Sequence, residues 1–164
     1  KNPSFDPVND FAAISLLSSL PNILVVNPGI PIKSVKDLIA LAKAKPGYYN
    51  FASARIGSSS HLACALFGIL TGTNIVHAPY KGGDLALVHV LSGQTQLYFA
   101  TIPHVKSGKL RRVAVTSEKR SQTLPQFPTI AKTGVAGYGA ATWYGLRAPR
   151  KHHVSSSRVC TARW

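Results

Sequence analysis

The sequence predicts an α/β fold, a three-layer sandwich in which helices cover both faces of a mainly parallel sheet. Short apolar segments alternate with helical segments of roughly ten residues, a spacing typical of crossover connections between parallel strands. Residues 22–26 (NILVV) are almost continuously apolar, which indicates a strand buried on both faces. The chain has 164 residues, 45% of them hydrophobic, and is therefore long enough to bury a core of this kind.

The predicted elements follow one another along the chain. Apolar segments at 11–17 and 22–26 come first. Ser34 and Asp37 have the spacing of a capping box, and the helix that they begin ends at Pro46 and Gly47. Further strands are expected at 48–54, 74–77, 95–100, 110–116 and 142–147, and further helices at 61–70, 84–91 and 128–133.

The chain is strongly basic, with 19 Lys and Arg against five acidic residues and a formal net charge of +14. Such an excess attracts anions, from carboxylates to nucleic acid. The basic residues are scattered, with a denser group at 111–120, and are not interleaved with aromatic residues. No nucleic acid is therefore expected, and a module that binds a polyanion stays the alternative interpretation. Cys64 and Cys160 have no zinc-ligand spacing, so neither a metal nor a cofactor is expected.

A serine-rich turn, ASARIGSSSHLA at 52–63, lies between a predicted strand and a predicted helix. One interpretation is a hydrolase elbow, G-x-S-x-G, with Ser59 as nucleophile. It is the weaker one, because His61 occupies the second glycine position and few acidic residues follow. Another is an anion-binding site, in which Gly57 exposes main-chain N–H groups at the helix N-terminus and the serine hydroxyls add donors. A third is a capped helix that binds nothing.

Two further segments end at the same edge of the predicted sheet. HAPYKGGD at 77–84 brings Tyr80 and the amides of Gly82 and Gly83 to the start of a helix, although a tight turn with Lys81 in water explains this segment as well. Thr101 follows the strand expected at 95–100. Ligands of open α/β sheets sit at the carboxyl ends of the strands, so these residues are candidates for the same site.

A series of blocks identifies a family that the chain resembles. In order they are FDPVNDFAAISLL, LVVNPGIPIKSVKDLIALAKAKPG, NFAS with GSSSHLA, IVHAPYKGG, SGQTQLYFATIP, GKLRRVAVTSEKR and LPQFPTIAKTGVAGY. Over residues 5–149 the chain resembles the Bug-type extracytoplasmic solute-binding receptors of tripartite tricarboxylate transporters.

The resemblance implies a bacterial periplasmic receptor that is not an enzyme. Its two α/β lobes close like a flytrap on a small carboxylate, which is then handed to the permease subunits in the membrane, and the receptor is expected to be a monomer. In the family the turn matching 53–61 holds one ligand carboxylate through main-chain amides and hydroxyls. Ala100 stands where many members carry an aspartate that meets a ligand amine, so the expected ligand lacks an ammonium group. The candidate ligand-binding residues are Ser53, Gly57, Ser58, Ser59, His61, Tyr80 and Thr101, with His61 expected in a structural role.

The resemblance also implies the domain organisation. We expect residues 1–22 to be a crossover segment from a largely absent first lobe, 23–140 the second α/β lobe with the ligand loops, and 141–149 a return strand at the hinge. Residues 150–164 form a basic tail that does not match the family. Because the chain has no methionine and no apolar signal sequence, we expect a fragment of a longer protein, from which the signal peptide is absent.

Overall fold

The computed structural model describes residues 4–101, 109–122 and 124–150. The predicted α/β class is confirmed, and no helix in these ranges is long and apolar enough to cross a membrane. In chain order the elements are β1 (Phe11–Val26), α1 (Val35–Ala44), β2 (Asn50–Ser53), α2 (Ser59–Thr71), β3 (Val76–Pro79), α3 (Gly83–Leu91), β4 (Leu97–Thr101), β5 (Arg111–Val115), a 3₁₀ turn (Ala131–Thr133) and β6 (Ala141–Pro149).

The chain divides into two compact units, with breaks after Ser19 and after Thr142. The larger unit, residues 20–142, carries the helices and most of the sheet. In the smaller unit, the first part of β1 pairs with β6. Several of its apolar side chains are exposed, among them Leu16 and Trp143.

The sheet of the larger unit is mainly parallel, as predicted, with one strand reversed. Its strand order is β3-β2-β4-β1-β5. Strand β2 pairs in parallel with β3 and β4, whereas β1 is antiparallel to β4 and β5. The reversal places Asn22, where β1 enters the sheet, opposite Thr101 at the end of β4. Asn22 therefore lies at the carboxyl edge of the other strands.

Apolar side chains pack on both faces of the sheet, which gives the predicted three layers. Along β1 they alternate: Leu24 packs with Leu38 of α1 and Phe67 of α2, while Ile23 packs with Val90 of α3 on the opposite face. All five side chains are fully buried. The unbroken apolar run in β1 is thus explained by burial on both sides.

Helix α1 begins as its sequence predicts. Ser34 is the N-cap residue, and the capping box with Asp37 is complete in both directions. The Asp37 carboxylate accepts the main-chain N–H groups of Lys33 at 3.0 Å and Ser34 at 2.9 Å. The hydrogen bond from Lys33 and then that with Ser34 are the main causes of a lowered pKa at Asp37.

The bounds of several predicted elements differ from those in the structure, and three of these differences are explained by hydrogen bonds. The strand predicted at 48–54 is confined to β2, and the strand predicted at 74–77 begins and ends two residues later as β3. The Gly47 N–H donates to the Asn74 carbonyl outside the ladder, which starts only where Asn50 faces Val76. The helix predicted at 128–133 is only the 3₁₀ turn, because Pro128 and Ile130 form hydrogen bonds with Val115 of β5 instead.

Candidate functional site

The serine-rich turn joins β2 to α2 and caps the helix. Ser58 is the N-cap residue, and its Oγ accepts the main-chain N–H of His61 at 3.4 Å and donates to the Arg55 carbonyl at 2.7 Å. Gly57 has a φ of +78°, in the left-handed region that glycine adopts without steric cost. The turn between a strand and a helix that the sequence predicts is therefore present.

Two of the serine hydroxyls hold the turn together. The fully buried Ser53 Oγ lies 2.6 Å from His77 Nε2 and donates to the Arg55 carbonyl at 3.2 Å. The Ser60 Oγ, also buried, accepts the main-chain N–H of Ala54 at 3.2 Å. The structure therefore places Ser53 within the turn, with its hydroxyl engaged by the protein itself.

The first turn of α2 retains unused donors. Within the residues that the structure describes, the main-chain N–H groups of Ser59 and Ser60 have no hydrogen-bond acceptor. The N–H groups of a first helical turn lack intrahelical partners, and the helix dipole makes this end partly positive. Since the first turn of α2 holds no acidic residue, its field is free to act on an anion.

At the start of α3, by contrast, a main-chain N–H group is already engaged and an acidic residue is present. The Gly82 N–H donates to the Ala54 carbonyl at 3.0 Å, and the first turn of α3 carries Asp84. A carboxylate at a helix N-terminus takes the place of an external anion. Of the two turns that the sequence nominates, the one before α2 is therefore the better anion site.

The His61 side chain stabilises the turn through a hydrogen bond and ring stacking. The Gly57 N–H donates to His61 Nδ1 at 3.2 Å, so this amide, which the sequence nominates as a ligand donor, is engaged within the protein. The His61 ring stacks on His77 with 4.1 Å between centroids, and His77 stacks on Phe51 at 4.7 Å. Burial, and then the neighbouring His61, lower the pKa of His77.

Tyr80 and Thr101 lie at the same edge of the sheet. The Tyr80 main-chain N–H donates to the Ser53 carbonyl at 2.9 Å, which ties the end of β3 to the end of β2. Its ring stacks on His89 of α3 at 4.3 Å. Thr101 is half-buried at the end of β4, opposite Asn22.

Sequence reasoning missed three polar residues that complete this edge. The Thr142 hydroxyl donates to Asn22 Oδ1 at 2.9 Å, and its oxygen lies 2.8 Å from Ser59 Oγ. Thr116 Oγ1 accepts the Asn22 main-chain N–H at 2.8 Å. Strand ends at one edge are a recognisable signal, but Asn22 reaches this edge only because β1 runs against the other strands.

The described residues at this turn offer hydrogen-bond donors and do not form a hydrolase triad. Among the described residues, the hydrogen-bond partner of Ser59 Oγ is the Thr142 hydroxyl and no histidine base contacts it, so the hydrolase triad is not assembled. No three His, Cys, Asp or Glu side chains of the described ranges come together as metal ligands. What remains at the turn is a set of hydrogen-bond donors beside a positive helix end.

The densest basic group of the chain serves the fold. The Arg111 guanidinium donates to the carbonyls of Ile30 and Ile32 at 2.9 and 3.1 Å. Arg112 lies over the ring of Phe127, 5.5 Å from its centroid. These contacts give two members of the group a structural role and weaken the polyanion interpretation.

Comparison with known proteins assigns the chain to a family. The model of the tripartite tricarboxylate transporter family receptor matches residues 1–156. The chain belongs to this receptor family. The resemblance of its sequence blocks to Bug-type receptors is thereby confirmed, and the family consists of solute-binding receptors rather than enzymes. Protein BugT of Bordetella pertussis is 36% identical over 147 residues, which are 87% of this chain and 45% of BugT.

Solved structures agree with the assignment. An R. palustris protein solved with adipate has a TM-score of 0.87 and 34% identity, covering 94% of this chain and 53% of that protein. MatC from Rhodopseudomonas palustris with bound malate has a TM-score of 0.84 and 25% identity, covering 98% of this chain and 57% of MatC. The chain therefore spans about half the length of the proteins that it matches.

Proposed function

We propose that this receptor chain binds one carboxylate of a small organic acid at the first turn of α2, in the bacterial periplasm, and delivers it to the permease subunits of a tripartite tricarboxylate-type transporter. The observation that carries the proposal is the pair of unused N–H groups of Ser59 and Ser60 at a helix end without an acidic residue. The expectation of a monomer belongs to the same proposal.

Several features support an organic acid as the ligand. Main-chain N–H groups and the helix dipole bind anions without a buried Lys or Arg. The turn lies at the carboxyl edge of the sheet, where α/β proteins bind ligands. Two similar proteins were solved with adipate and with malate, both of which are dicarboxylates. Ala100, fully buried, offers no carboxylate to a ligand amine, which favours acids without an ammonium group.

The affinity of this chain alone should be weak. A ligand held at one edge of one lobe stays largely in water, where charge-assisted hydrogen bonds contribute much less than in an enclosed cleft. We expect a Kd in the millimolar range, about −4 kcal/mol.

The proposal is tested by an NMR titration of the ¹⁵N-labelled chain with adipate and with malate. The main-chain amide signals of Ser59 and Ser60 should shift in a saturable manner. The matched control ligand is 1,6-hexanediol, which has the carbon chain of adipate without its charges and should leave both signals in place. If neither acid shifts these amides, or if the diol shifts them equally, the proposed site is wrong.

A pair of glycine variants separates binding from stability. Gly57 and Gly72 lie just before and just after α2, both have a positive φ, and a Cβ added to either meets nothing within 4 Å. Gly57→Ala and Gly72→Ala should therefore each cost about 1 kcal/mol of folding stability through backbone strain. Only Gly57→Ala should weaken adipate binding, because its methyl group stands beside the turn. Equal loss of binding in both variants would contradict the assignment.

A further inference from the structure

Asn22 carries a buried donor that nothing in the described part of the chain accepts. Its side chain is fully buried, and Nδ2 has no hydrogen-bond partner among the described residues. An unsatisfied buried amide costs about 1–3 kcal/mol, so native proteins keep few of them. The position of Asn22 at the carboxyl edge of the sheet suggests what this donor is for.

The polar atoms around Asn22 are arranged so that acceptors are occupied and donors are left. Thr142 Oγ1 lies 2.9 Å from Asn22 Oδ1 and 2.8 Å from Ser59 Oγ. Because a hydroxyl has one proton and an amide oxygen only accepts, Thr142 donates to Asn22 Oδ1 and accepts the Ser59 hydroxyl. The donors that remain are the N–H groups of the first turn of α2 and Asn22 Nδ2. Such a set selects an anionic oxygen and disfavours a hydrogen-bond donor.

We infer that Asn22 is a ligand-binding residue of this site, that its Nδ2 donates to the carboxylate bound at the first turn of α2, and that Thr142 is the positioning residue that orients it. The inference rests on the proposed function and adds to it a side-chain donor from β1. The ligand class is an acid whose bound group carries no proton, since a protonated acid would present a donor to a cluster of donors.

The main chain and the carboxamide of Asn22 are both held by hydrogen bonds. The Asn22 N–H donates to Thr116 Oγ1 at 2.8 Å, and the Asn22 carbonyl accepts the Thr116 N–H at 2.9 Å. The hydrogen bond from Thr142 to Oδ1 fixes the orientation of the carboxamide and leaves Nδ2 without a partner among the described residues. Thr142 and Ser59 are half-buried, which gives a ligand oxygen a route to the amide.

The test compares Asn22→Leu with Thr95→Val in the adipate titration. Leu has the same branched arrangement of side-chain heavy atoms as Asn, although it is bulkier, and it has no donor. Thr95 Oγ1 is the matched control, because it is also buried and unpartnered among the described residues but precedes β4, at the opposite end of that strand from Thr101. Asn22→Leu should raise the adipate Kd about ten-fold, as loss of a charge-assisted hydrogen bond does. Thr95→Val should leave the Kd unchanged, and Asn22→Asp, whose carboxylate repels the ligand, should abolish binding.

The results separate the role of Asn22 from the proposed binding of a carboxylate at α2. If wild type binds through the amides of Ser59 and Ser60 and Asn22→Leu binds within two-fold of it, Asn22 is not a ligand residue although the proposed function stands. If those amides never shift in wild type, the proposed function fails and the role of Asn22 fails with it. Should Asn22→Leu not fold, the Asn22 side-chain NH₂ signals of wild type decide: adipate must shift them, and unshifted signals overturn the inference.

Discussion

Replacing Thr116 by valine should destabilise the chain strongly, because one hydroxyl joins three segments. Thr116 is fully buried, and its Oγ1 accepts the Asn22 N–H at 2.8 Å and donates to the Ala140 carbonyl at 2.6 Å. Valine has the same shape but neither bonding capacity, so Thr116→Val leaves a buried N–H and a half-buried carbonyl without partners. Each lost partner costs about 1–3 kcal/mol, so the two together give a loss of about 2–6 kcal/mol in the free energy of unfolding.

The control is Thr116→Ser, which keeps the hydroxyl and removes one methyl group. Its loss should be about 1 kcal/mol, the value for one buried carbon and a small cavity. Urea denaturation of wild type and both variants, followed by far-UV circular dichroism, gives the three free energies of unfolding. The reasoning is refuted if valine is tolerated as well as serine, since the hydrogen bonds would then contribute nothing that the methyl group does not.

Two further predictions concern titratable side chains. Burial raises the pKa of the Cys64 thiol. In a Cys160→Ser variant the remaining thiol should therefore react with Ellman's reagent only as fast as the chain unfolds, and at once in guanidinium. Rapid reaction of the native chain would show that Cys64 is accessible. The lowered pKa of His77 means that the unfolded chain takes up its proton first as the pH falls below about 6.5, so stability should decrease from there toward the folded-state pKa. Urea midpoints across this range should fall for wild type and fall less for His77→Gln, and an equal fall in both would exclude His77 as the cause.

Local signals in the sequence were enough for the elements that depend on neighbouring residues. The capping box of Ser34 and Asp37 and the apolar face of α1 predicted that helix correctly. Gly72 ends α2 with a left-handed φ of 62°, as its place after the apolar run indicates. In these cases the deciding contacts lie within a few residues along the chain.

Features that depend on contacts between distant parts of the chain could not be predicted from the sequence. Asn22 and Thr142 are 120 positions apart, and their contact depends on β1 running against the other strands. A helix is expected from Pro128, but this segment forms hydrogen bonds with Val115 instead, because strand β5 offers it partners there. The sequence nominated the serine-rich turn as the site, whereas the hydrogen bonds had to be known to tell which of its donors lack a partner among the described residues.

The reversed, central position of β1 has a consequence for how the chain acquires its structure. Residues 23–26 are synthesised before β4 and β5, the strands with which they pair among the described residues, and α1, β2, α2, β3 and α3 lie between them in the chain. Contacts between such distant parts of a chain form slowly, and an unpaired apolar strand is prone to aggregate while it waits. The segment that finally anchors the middle of the sheet is therefore the one that must remain protected from other chains for longest.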